Sequence, residues 1–208
     1  VKNILTGANY ATECIRPPVE WMYYTDRTQI LDIHKKFGTI KLKKFPFSHI
    51  LKHKLYLPYI RGIKIIKPLN YFPYIKDEAM KVLADEYGWI PYPQKHFESR
   101  FTKFYEGYWL PERFGFDTRR VQFSSLILTG QMTREDALRA LEKPPLDRAT
   151  IDQEFDYIAT KLGITTDELQ RYFTMPKKFY WDYKNQETIF NLGAKFLKAL
   201  GLETTIKR

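Results

Sequence analysis

A chain of 208 residues with 44% hydrophobic and 16% aromatic content can bury a proper core and is too apolar to be disordered. No apolar run reaches the ~18 residues of a membrane span, no basic-then-apolar leader is visible, and the single Cys14 excludes an intrachain disulfide framework or a Cys-rich zinc site. These features point to the cytoplasm. The net charge of +10 is local: from Ile33 to Lys76 there is no acid and eleven Lys or Arg, so the rest of the chain sums to about −1. Such a field suits an anionic partner, although a solvated lysine-rich face has the same composition.

In chain order, "NILTG" reads as a short buried strand ending in a glycine turn, the form of a parallel strand entering an α/β loop. The spacing of Ile30, Ile33, His34 and Phe37 predicts a helix within "VEWMYYTDRTQILDIHKKFG", ended by Gly38. "KLKKFPFSHILKHKLYLPYI" is expected to form a short helix pair. Ile63 to Ile66 is a second strand, stopped by Pro68. A helix begins near Lys76, with Asp77 and Glu78 at the positive end of its dipole, Ala79, Val82, Leu83 and Tyr87 at helical spacing, and Gly88 as cap.

After Pro93 the pattern is helical. Thr133 with Asp136, Thr150 with Gln153, and Thr165 with Glu168 each open a helix. Pro144 and Pro145 end the first, and Gly163 ends the second, whose stripe is Ile151, Phe155, Ile158 and Leu162. "ETIFNLGAKFLKALG" is a fourth, ending at Gly201.

A strand followed by a glycine loop places that loop at the carboxyl edge of an α/β sheet, where ligands bind. Gly7 lets the backbone turn close to a bound group, and Asn9, Thr12 and Glu13 offer polar contacts. Lys67 stands at the end of the second strand and suits a phosphate. Arg100, Arg119 and Arg120 suit bidentate contacts to an anion, unless Asp117 pairs locally with an arginine and the group is surface structure. Glu98 either orients Arg100 or faces the substrate. His49 and His53 share a helix face but lack an acidic companion, so no metal site is expected. The aromatics of "FTKFYEGYW" fall at helical spacings and favour packing over stacking on a ligand.

"IIKPLNYFPYIKDEAMKVLADEYGW", preceded by "ILTGANYATE", resembles the fifth strand–helix unit of PP-loop ATP pyrophosphatases and the strand-and-loop before it. "KHFESRFTKFYEGYWLPERFGFDTRRVQFSSLILTGQMTREDALRALEKPP" looks like the C-terminal signature of bacterial N-acetyl sugar amidotransferases, PP-loop enzymes of lipopolysaccharide O-antigen and flagellin-glycan pathways. The resemblance runs from about Val1 to Asn185. It implies an α/β fold: the C-terminal part of a PP-loop (adenine nucleotide alpha hydrolase-like, HUP) parallel-sheet domain over 1–92, with a basic insertion at about 21–60, then a mainly helical region over 93–208.

It further implies a reaction in which the acetamido oxygen of a nucleotide-activated sugar attacks the α-phosphate of ATP. Ammonia then displaces AMP to leave an acetamidine. ATP and Mg²⁺ are the expected cofactors, and the partners are the nucleotide-linked N-acetyl sugar and a glutaminase subunit supplying ammonia. The expected catalytic residues are Glu13, Arg119 and Arg120; Gly7, Asn9 and Lys67 would contact the nucleotide, and Glu98, Arg100 and Asp117 the sugar substrate.

The "SGGxDS"-type phosphate loop and the cysteine-rich N-terminal element of that family are absent from these residues. The expectation is therefore a C-terminal part of a longer enzyme, or a truncated product, completed by a PP-loop region elsewhere. A basic nucleic-acid module built on Lys41 to Arg61, as in tRNA-modifying relatives, is the alternative, as is a non-catalytic docking domain; nucleic acid is not the favoured partner.

Overall fold

Two short strands are the described sheet: β1 (Asn3–Leu5) and β2 (Lys64–Ile66) lie side by side in parallel. The strands form where the apolar runs predict, but they are not buried. Every position of β1 and the first two of β2 are exposed, because no second layer covers either face among the described residues.

The computed structural model describes residues 1–18, 26–47, 49, 51–199 and 201. Its helices in chain order are α1 (Tyr10–Glu13), α2 (Arg27–Phe37), α3 (Lys76–Tyr87), α4 (Arg100–Phe104), α5 (Arg119–Leu128), α6 (Arg134–Glu142), α7 (Arg148–Leu162), α8 (Thr166–Thr174) and α9 (Glu187–Ala199). The chain divides into two compact units. One comprises Val1–Ile4, Pro17–Ile66 and Lys178–Arg208; the other comprises Leu5–Arg16 and Lys67–Lys177, so the expected boundary near residue 92 falls inside the second.

In the first unit, Asp26 is the N-cap of α2 and accepts from Gln29 N–H. Its other oxygen accepts from the Tyr180 hydroxyl and the Gln186 N–H, both at 2.6 Å. Asp32, one turn into α2, pairs with Lys36 at 2.6 Å and accepts from Lys184 N–H. The Lys36 and Lys184 hydrogen bonds hold the Asp32 carboxyl below its ordinary range. A carboxylate pair thus fastens α2 to the segment before α9. The expected apolar face of α2 does not carry this contact, since Phe37 is 67% exposed. The expected start of that helix, 19–25, lies outside the described residues. Instead of a helix pair, the Lys-aromatic stretch gives a loop through residue 47 and one π-helical segment, Lys52–Ile60, with Pro58 inside it.

The second unit is helical. Capping residues at Thr133, Asp147 and Thr165 accept from the N–H three residues on, fixing the starts of α6, α7 and α8. The α7 start differs from the expected Thr150 because Asp147 is the better-placed acceptor, and Thr150 is its donor. Phe104, Ile158, Ala159 and Leu169 form the buried centre, with Tyr108, Trp109 and Phe155 against it. Tyr108 stacks on Phe173 at 5.3 Å, so Phe104, Tyr108 and Trp109 of "FTKFYEGYW" pack in the core, whereas Phe101 and Tyr105 are exposed. After α4 the helix widens to π-helical turns over Tyr105–Phe114, which Gly115 ends in the left-handed region.

Candidate functional site

Two polar clusters in the second unit contain Gly7, Asn9, Lys67 and Glu13 of the residues singled out from the sequence. The first is built on the loop after β1. Asn9 is buried and caps α1, accepting from Thr12 N–H and Oγ1 while its amide donates to Gly7 O at 3.1 Å. Asn9 therefore shapes the loop with all of these contacts. Gly7 has no left-handed φ and nothing within 4 Å of where a Cβ would stand, so neither sterics nor conformation demands a glycine there.

The Tyr10 N–H donates to Asn70 Oδ1 at 2.9 Å, tying the loop to the turn that follows Lys67. Lys67 is exposed, with its ammonium 5.6 Å from the Tyr10 ring centre. Gln131 closes the cluster. Its amide nitrogen donates to Ala11 O and Tyr74 O, and its oxygen accepts from Lys76 N–H at the start of α3. Thr129 Oγ1 also donates to Ala11 O, and Ser125 Oγ accepts from Ile15 N–H. Gln131, Thr129, Ser125 and Asn70 were not singled out by sequence reasoning. Only the turn at Gly130, φ +71, hints that the residues after α5 are shaped for contact.

The second cluster begins at Glu13, whose Oε1 takes Lys95 Nζ at 2.6 Å. The next residue, His96, has φ +70 and is the one non-glycine with positive φ among the described residues. Its Nδ1 lies 3.1 and 3.2 Å from the two oxygens of Glu106 on the π-helical turns. Thr118 Oγ1 donates to Glu106 as well. The hydrogen bond to Glu106 raises the His96 pKa above its ordinary 6.5; burial and Lys95 oppose that, and Glu98 adds to it. Glu98 is exposed and makes no hydrogen bond or ion pair with described residues.

The arginines fall into three different environments. Arg119 is buried: its Nε and Nη2 clasp Asp117, and Nη1 donates to Ala140 O and Lys143 O at the end of α6. Four of its five N–H groups are thus used inside the protein. Arg100 donates through Nε to Glu154 and lies 3.5 Å over the Tyr157 ring, with no hydrogen bond from its two Nη groups among the described residues. Burial pushes the Glu154 carboxyl up, but the Lys103 and then Arg100 hydrogen bonds outweigh it and the net shift is down. Arg120 is exposed and unpaired among the described residues, at a groove between α5 and α6 shared with Arg134, Phe123 and Leu138. No group of three metal-ligating side chains occurs among the described residues.

Among the described residues the protein is thus mainly helical, with one short parallel strand pair and a polar cluster that joins the segments following the two strands. Residues 98–197 match the family described as "LPS biosynthesis protein WbpG-like, C-terminal domain". By that description, this half of the chain is similar to a domain of lipopolysaccharide biosynthesis proteins. No curated protein and no solved structure matches the chain. No described helix is long and apolar enough to cross a membrane.

Proposed function

We propose that the chain is the C-terminal part of an ATP-dependent amidotransferase acting on a nucleotide-activated N-acetyl sugar for lipopolysaccharide or flagellin-glycan synthesis in the cytoplasm. The observation that carries this reading is the family match over 98–197, which contains Glu98, Arg100, Asp117, Arg119 and Arg120. The loop cluster supports it. In a parallel sheet the segments after adjacent strands form the ligand edge, and here Tyr10 and Asn70 join those two segments directly.

ATP is a substrate of this reaction, and the residues present supply one wall for it: Lys67 toward phosphate, the Asn9-capped loop and Gly7 beside it. With no acidic ligand set among the described residues, Mg²⁺ would be carried on the phosphates. Its contribution would be charge neutralisation on the departing pyrophosphate. The Nη groups of Arg100, which make no hydrogen bond among the described residues, and the free guanidinium of Arg120 suit the diphosphate of a nucleotide sugar, with Glu98 on its hydroxyls. Arg119 and Asp117 hold the end of α6 against the start of α5, and so set the direction of Arg120. Glu13 keeps Lys95 beside His96.

The exposed strands favour a further element of this reading: the sheet is completed by a region bearing the phosphate loop, and ammonia comes from a glutaminase subunit. The test is to incubate the chain, alone and with the phosphate-loop region supplied, with ATP, nucleotide-linked N-acetyl sugars and ammonium. Sugar-dependent pyrophosphate and an amidine product are expected in the completed enzyme. Pyrophosphate release indifferent to every such sugar would overturn the reading.

A further inference from the structure

His96 is held in a way that a surface ion pair does not require. A non-glycine residue in the left-handed region costs about 1–2 kcal/mol and persists where its surroundings fix it. Here the surroundings do: Lys95 is drawn to Glu13, and Phe97 is buried, with its ring tip 3.1 Å from where a Cβ on Gly107 would stand. Between those anchors the imidazole turns Nδ1 onto both oxygens of Glu106, whose side chain is only 16% exposed. Nε2 has no hydrogen-bond partner among the described residues, and the side chain is 45% exposed. A carboxylate on one ring nitrogen and an open second nitrogen is the arrangement that fixes tautomer and ring direction for proton transfer.

We propose that His96 and Glu106 form an acid–base dyad, Glu106 positioning the ring and Nε2 shuttling the proton of the nitrogen substrate. The dyad stands on the geometry; the identity of the nitrogen rests on the amidotransfer reading. In that reaction the ammonia nitrogen bonds to the imidate carbon and becomes positively charged. The bond from that carbon to the adenylate-bearing oxygen breaks, and its electron pair leaves with AMP. Nε2 accepts one proton from the new nitrogen and returns it to the sugar-side nitrogen, leaving an acetamidinium. Glu106 raises the imidazole pKa above its ordinary 6.5, opposed by burial and Lys95 and aided by Glu98, which makes Nε2 a stronger acceptor for that proton than a free imidazole.

The dyad is tested by NMR titration of the His96 ring in the 208-residue chain. A pKa above 6.5 that falls back in Glu106→Gln is expected. Titration at the ordinary value, or no response to Glu106→Gln, overturns the dyad. The role is tested in the completed enzyme with ATP, a nucleotide-linked N-acetyl sugar and ammonium chloride, reading pyrophosphate and amidine separately. His96→Asn, chosen because Asn tolerates a positive φ, should leave the first-turnover burst of sugar-dependent pyrophosphate within about twofold and cut amidine formation about 100-fold. Glu106→Gln should move the pH profile of amidine formation in step with the NMR titration. An unchanged amidine rate in His96→Asn overturns the proton role. A wild-type enzyme with no sugar-dependent pyrophosphate overturns the amidotransfer reading and its nitrogen substrate, while the titration still decides the dyad.

Discussion

The helices from α4 to α8 and the segment carrying β1, β2 and α3 have similar apolar patterns but end in opposite states. On α7, Ile158 is 2% exposed at the centre of a packed cluster. On α3, which forms over the expected residues and stops at Gly88 with φ +64, Val82 is 48% and Tyr87 74% exposed. The difference teaches that periodicity specifies which face of a helix is apolar, whereas burial needs a second surface to meet that face. α7 finds one in α4, the π-helical turns and α8.

The strongest way to break this comparison is Ile158→Ala. It should destabilise the second unit by about 3 kcal/mol, through lost transfer energy and the cavity left behind. Urea denaturation followed by the fluorescence of Trp109 would show it, and a loss below about 1 kcal/mol would mean the cluster is loosely packed. Arg119→Ala comes next, at about 2–3 kcal/mol, because Asp117 and the carbonyls of Ala140 and Lys143 lose their donor together. If Arg119→Ala is as stable as wild type but weakens nucleotide-sugar binding, the arginine belongs to the site and not to the scaffold.

Much of this contrast is legible in the sequence. The capping residues Thr133 and Thr165, the glycine stops at Gly88 and Gly163, and both strands lie where their local chemistry places them, because a cap is a contact between near neighbours. The exposure of β1 was not legible, and neither was the Asp26–Tyr180–Gln186 fastening of the first unit, which joins residues 154 and 160 positions apart. The same limit hid the second polar cluster. His96 and Glu106 stand ten residues apart with a turn between them, and nothing in their spacing announces a positive φ. Arg119 and Arg120 look alike as a pair. Only the helix start, which turns one inward to Asp117 and the other out to the groove, separates their roles.

A smaller effect is expected from pH. The folded His96 pKa lies above 6.5, so the pair with Glu106 adds stability that is fully present below the unfolded value and is lost as pH rises through the folded one. With the imidazole nearly half exposed, that contribution is below about 1 kcal/mol. It should vanish in Glu106→Gln, as read from denaturation midpoints at pH values on either side of the titration. A wild-type midpoint that rises with pH across this window would contradict the sign.

The smallest effect expected is from charge placed on α3. Val82→Lys and Tyr87→Lys replace side chains that already face solvent, so each should change the stability of the 208-residue chain by no more than about 0.5 kcal/mol. The same substitutions should matter only when a covering layer is present, because a lysine ammonium buried without a partner costs several kcal/mol. The comparison is therefore between two measurements on each variant: stability of the chain alone, and its association with the phosphate-loop region that we propose completes it. Loss in the second with none in the first would identify the exposed stripe as the face that the proposed completing region covers. Equal and large losses in both would mean that α3 packs as α7 does, and the contrast between the two regions would collapse.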